Sequence, residues 1–308
     1  MNRLRLPVEL VLSIVSSYVE NLPLHGQPCV KPDWNFVKPV SLVSHACRRA
    51  ALEAWFRTLR VRNRRDLVAI SRDWPELYRW ARTFVCISPD HNDLRAWDLF
   101  GFVRLRSVVV RMSPGGHECP IRFINVPPSV DSLELNGMVE ATPLDMGDVA
   151  EAFPNLRTLT LRPQYTWCGL CNTSQRPVLS GEIPSLLVYK GGIGLPVHYA
   201  KFLSALTTLE TFRITTIYKD NTDEHSVSQP PWSRYLDIGK NEHIWVGECH
   251  VCVVLLYRDD GFRESWVAKK REPEVRPPAL QTVEWAFMTE AEFFVQYRDL
   301  DDILDDEV

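Results

Sequence analysis

Several classes are excluded by what this chain of 308 residues lacks. No apolar run is long enough for a membrane helix. The longest, such as residues 251–257, falls far short of the ~20 residues a crossing needs. Eight cysteines are too few for a disulfide scaffold. Positive charge is not in excess: 35 Lys and Arg stand against 39 Asp and Glu, a net charge of -4. No global basic field exists to gather nucleic acid or an anionic bilayer. Arg3 and Arg5 precede an apolar stretch, but Glu9 interrupts it and no small-residue cleavage site follows. We therefore expect reduced thiols and a cytoplasmic or nuclear location. No H-E-x-x-H, G-x-S-x-G, Walker or G-x-G-x-x-G pattern occurs, so no catalytic constellation is expected.

What is present is globular. The chain is 45% hydrophobic and 24% charged, and its length suggests roughly two domains. Residues 6–19 read as a helix, with Pro7 in the first turn and Leu6, Leu10, Ile14 and Val15 at helical spacing. Four prolines and a glycine make 21–40 a loop. A second helix is expected over about 41–59, with Leu42, Val43, Ala46, Ala50, Ala54 and Leu59 able to share a face. Two such helices make little core alone and need a partner surface.

The stretch Leu6-Pro-x-Glu-Leu10, then Ile14, then Ser41-Leu42-Val43-Ser44, closing with Phe56-Arg57-Thr58-Leu59-Arg60-Val61, resembles the F-box. The closing stretch is similar to F-box proteins of mushroom-type fungi. The resemblance covers about residues 4–61. It implies docking on a Skp-type linker, and through it on a cullin-RING ubiquitin ligase of the SCF type. Leu6, Pro7, Leu10, Ile14, Leu42 and Val43 match the family's docking positions. Where the family usually has Cys-Arg-x-Trp, this chain has Ser44-His45-Ala46-Cys47, and its loop from 22 to 38 is longer.

Beyond a helical linker (62–80), a spaced motif recurs: apolar, two residues, apolar, one residue, apolar. It occurs at Ala81/Phe84/Cys86, Leu105/Val108/Val110, Val130/Leu133/Leu135, Leu156/Leu159/Leu161, Ile183/Leu186/Val188, Leu209/Phe212/Ile214 and Leu280/Val283/Trp285. The first six starts lie 24 to 27 residues apart and the last gap is 71. This period is similar to leucine-rich repeats, with one strand per unit and strands stacked in parallel. Residues 144–153 and 197–206 read as linking helices. The long gap implies an insertion within 217–279. Its 250–257 and 262–268 arms, with an Asp-Gly turn between, read as a β-hairpin. The expected architecture is thus α/β: a helical F-box (4–61), then an irregular leucine-rich-repeat-like solenoid (81–292) with parallel strands and an inserted hairpin. An acidic tail (293–308) closes the chain.

Two features carry candidate chemistry. Cys168-Gly-Leu-Cys171 and Cys249-His-Val-Cys252 are two Cys-x-x-Cys pairs, where chance placement gives about 0.2. Two such knuckles can complete a tetrahedral zinc site, and repeat spacing puts their strands close together. One structural zinc is the expected cofactor. Side chains alternate along a strand, so Arg111, Glu134, Arg162, Tyr189, Arg213 and Glu284 are expected on a concave, target-facing ladder. The reading is a non-catalytic target receptor with the linker, the cullin and a protein target as partners. Its rival is a zinc-stabilised repeat scaffold with no ligase role. A metal-dependent enzyme is a weaker rival, because a filled Cys₄ site leaves no open position.

Overall fold

A computed structural model describes residues 7–20, 34–87, 96–112, 122–168, 171–176, 178–179, 186–191, 194–220, 260–272 and 276–295. The chain is α/β, with helices packed on a mostly parallel central sheet. Three helices come first: α1 (Val8–Glu20), α2 (Trp34–Ser41) and α3 (His45–Phe56). The expected second helix is in fact two. Ser44 breaks it: its hydroxyl accepts the Cys47 amide at 3.1 Å and caps α3. α2 begins inside the expected loop and tolerates Pro39 near its end.

The expected face of α1 is also corrected. Val15 and Val19 are buried, with Val11 packed beside them, against Val37, Ala50, Ala51 and Ala54. These α1 positions are four apart and form one stripe. Leu10 and Ile14 point away from it.

β1 (Thr58–Val61) follows α3 directly and pairs in parallel with β2 (Thr83–Ile87). The stretch that closes the F-box-like segment is therefore also the first strand of the sheet, and Phe56, Leu59 and Val61 are buried like the later repeats. The sheet continues through β4 (Ser107–Arg111), β6 (Ser132–Ala141), β7 (Thr158–Cys168), β11 (Thr211–Ile217) and β13 (Thr282–Met288), all parallel. The linking pieces are α4 (Arg64–Asp73), α5 (Leu77–Trp80), the short pair β3 (Trp97–Asp98) and β5 (Phe123–Ile124), α6 (Pro143–Ala152) and α7 (Val197–Leu203).

One unit is corrected. Residues 186–188 do not supply a strand between β7 and β11, which pair with each other directly. Instead β10 (Leu187–Lys190) runs antiparallel at the far edge, beside β13. Leu186 and Val188 are exposed, whereas the motif residues of the six other units, from Ala81 to Trp285, are buried.

The parallel strands share one entry. Thr58, Thr83, Ser107, Ser132, Thr158, Thr211 and Thr282 lie in register. The carbonyl before each of the first six receives two amides from the next unit. The Arg57 oxygen takes Arg82 N at 2.8 Å and Thr83 N at 3.0 Å, and the pattern recurs at Arg82, Arg106, Asp131, Arg157 and Glu210. At the last six of these entries both backbone donors are paired, which pins the register.

The inserted hairpin is contradicted in its second arm, which is helical: α8 (Asp260–Arg271). Lys269 in its last turn is favourable to the helix dipole. The first arm, residues 250–257, lies outside the described residues. So do nearly all of 217–231 beyond Asp220, and the tail from 296.

Aromatic rings join the helical cap to the sheet. Trp34 meets Trp55 at 5.1 Å between centroids, Trp55 meets Phe56 at 5.1 Å, and Phe56 lies 6.2 Å from both Trp74 and Trp80.

Candidate interaction surfaces

The first surface lies on the helical cap. Leu10 is 50% exposed, Ile14 58%, Leu42 71% and Val43 74%, and Pro7 is also exposed. Leu6 lies outside the described residues. Val8, Leu12, Tyr18 and Phe36 are further exposed apolar side chains on the same two helices. The cap's inward stripe is made of valine and alanine, so the larger residues are left for solvent or a partner. Leu42 and Val43 sit in the turn between α2 and the Ser44 cap.

The second surface is the sheet face opposite the helices. Helix-side positions such as Leu133, Leu159 and Phe212 are fully buried. The alternate positions form a row across the strands: Arg60, Val85, Val109, Glu134, Thr160, Arg213 and Glu284. One step along the strands, Arg111, Asn136 and Arg162 are neighbours. Five of the six ladder residues thus share a face. Tyr189 does not. Its strand is antiparallel and sets it opposite Val283, so it packs against the helix-side core.

Charge on this face is locally paired. Arg162 lies 3.4 Å from Glu134 and Arg213 lies 2.6 Å from Glu284. Near the exits of β11 and β13 the face is covered, where Phe293 packs on Ile217 and Met288. A bidentate pair from Arg176 to Glu290, at 2.8 and 3.0 Å, holds that segment down, and Arg176 also lies over the Tyr165 ring.

The strand-entry edge carries a third charged group, which the spacing argument missed. Arg82 donates to the carbonyls of Arg79, Trp80 and Ala81, closing α5. Burial, then neighbouring Arg104, lower its pKa, and Arg57 and Arg106 add to the effect. The signal was in the sequence: a charged or amide residue precedes the Ser or Thr of every unit.

Of the four cysteines, Cys168 is buried at the end of β7 and Cys171 is exposed, its sulfur 2.9 Å from the Thr173 hydroxyl. Nearby, His198 Nε2 is 2.9 Å from Asn172 Oδ1, and burial lowers its pKa, with Lys269 and Lys201 adding to this. Cys249 and Cys252 lie outside the described residues. Among the described residues, no three His, Cys, Asp or Glu side chains converge on a metal position, and no helix is long and apolar enough to cross a membrane.

No family model, curated protein or solved structure matches the chain.

Proposed function

We propose that the chain is a non-catalytic target-recognition adaptor of an SCF-type cullin-RING ubiquitin ligase. In this reading Leu6, Pro7, Leu10, Ile14, Leu42 and Val43 dock on a Skp-type linker. A leucine-rich-repeat-like solenoid, formed by the parallel sheet, presents the target. Ubiquitin transfer chemistry belongs to the partners.

The observation that carries it is the outward set of the F-box-like positions. Every described one is exposed, on helices whose inner stripe already has its own small core. Large apolar groups left outside a satisfied cap mark a protein contact. The aromatic bridge from Trp34 to Trp80 would transmit a fixed orientation from linker to target surface.

Leu10→Asp tests it. A charge placed in an apolar contact costs several kcal/mol of binding, roughly 2–4. Recovery of linker and cullin from a fungal lysate, read by mass spectrometry, should collapse while the melting curve stays unchanged. Undiminished recovery would end the docking reading.

A structural zinc shared by Cys168, Cys171, Cys249 and Cys252 is a separate proposal, supported by the paired spacing alone. Elemental analysis should return about one zinc per chain, lost in Cys249→Ser. Absence of stoichiometric metal in the native chain would remove it.

A further inference from the structure

Buried polar atoms at the centre of the polar sheet face lack hydrogen-bond partners among the described residues. Arg111, Asn136 and Arg162 sit side by side on β4, β6 and β7. Neighbouring strands lie ~4.8 Å apart, so the three side chains stand in one short row. Asn136 is only 4% exposed. Its Nδ2 donates to Glu134 Oε1 at 2.9 Å, which fixes the amide's orientation, since the flipped form would set oxygen against carboxylate. Its Oδ1 is buried with no donor. Arg111 Nε is likewise buried, with no acceptor among the described residues. Such orphaned groups each cost about 1–3 kcal/mol unless something satisfies them.

The two vacancies differ in kind. Arg111 needs an acceptor, and Asn136 needs a donor. A phosphate or a free carboxylate brings acceptors only. An extended peptide main chain brings both, a C=O and an N–H, at strand spacing. The two rows carry four arginines (Arg60, Arg111, Arg162 and Arg213) against two glutamates (Glu134 and Glu284), an excess of positive charge. The chain as a whole is net negative, so this excess is local.

We propose that this row recognises an extended acidic peptide segment. On docking, the side chains that now cover these atoms move aside, so that Asn136 Oδ1 accepts a main-chain N–H and Arg111 donates to a main-chain carbonyl or an acidic side chain. The Glu134–Arg162 pair holds Asn136 in position. The inference rests on the adaptor reading only for what the captured chain is, namely the ligase target.

Panning a random dodecapeptide library on the full chain tests it. Aspartate and glutamate should be enriched several-fold in the recovered peptides. Arg111→Gln should erase that enrichment, and Asn136→Leu should cut recovery about tenfold. Melting curves for both variants check that the fold is kept. Failure to recover peptides, or acid enrichment that survives Arg111→Gln, would overturn the proposal. Linker recovery from lysate is measured in parallel. Its loss with intact peptide selection would count against the adaptor reading alone.

Discussion

The helical cap and the sheet sort their side chains in opposite ways. In the cap, valine and alanine turn inward while Leu10, Ile14, Leu42 and Val43 turn outward. In the sheet, the large residues go in: Phe84, Leu133, Phe212 and Trp285 are fully buried. Burial of large apolar side chains is worth about 1.5–3 kcal/mol each. The sheet uses that energy for its own stability, whereas these cap side chains leave it unused within the chain. Phe56 stands at the joint, packed against the cap's Trp55 and against Trp74 and Trp80 at the ends of the linking helices α4 and α5.

Breaking the joint should have the largest effect. Phe56→Ala should cost about 3–5 kcal/mol in denaturant unfolding. It should also raise hydrogen exchange in α3 more than in β7 and β11, because the cap loses its anchor. Leu159→Ala, in the sheet core, should cost about 2–5 kcal/mol. Leu10→Ala in the cap should stay within about 0.5 kcal/mol. Equal costs at Leu159 and Leu10 would erase the contrast between the two regions.

Alkali should next attack the sheet selectively. Burial pushes the Cys86 thiol from 9.0 up to about 12, and it also raises the Tyr199 phenol. The phenol donates to the Ala141 carbonyl and accepts the Trp167 amide. Both groups are held neutral by the fold. Their contribution is complete below the unfolded pKa values and is lost as pH rises through the folded ones. Urea midpoints should therefore fall from about pH 9 upward, and Cys86→Val should flatten that slope. A slope unchanged in Cys86→Val would place the alkaline loss elsewhere.

A smaller effect than that of the core substitutions is expected at the start of α6. The Thr142 hydroxyl accepts the Asp145 amide at 3.3 Å, and Asp145 accepts from the Thr142 amide and hydroxyl, both at 2.7 Å. This is a capping box. Thr142→Ala should cost about 1 kcal/mol by denaturant unfolding, well below the Leu159 loss.

Much of the sheet was legible in residue spacing, whereas in the cap the spacing grouped Leu10 and Ile14 with Val15, and only the latter is buried. The apolar triplets mark β2, β4, β6, β7, β11 and β13 because a strand alternates its side chains with period two. The same triplet at Phe56, Leu59 and Val61 belongs to the set, although its resemblance to an F-box ending drew the eye away. The Ser or Thr heading each unit was a further available signal. Local pattern misled at residues 262–268, where alternating apolar residues suggested a strand, but Lys269 in the last turn favours the helix found there.

The sequence by itself determined which residues enter strands and which helical positions carry large apolar groups, because both follow from local periodicity. Only the tertiary structure decided that residues 187–190 turn antiparallel at the far edge, so that β7 and β11 meet directly. It alone placed Tyr189 on the helix side and set Arg111, Asn136 and Arg162 in one row. Strand order and register are chosen by hydrogen bonds between segments distant along the chain, from Arg57 through Glu210 to Thr282, and no local spacing encodes which distant segment completes them.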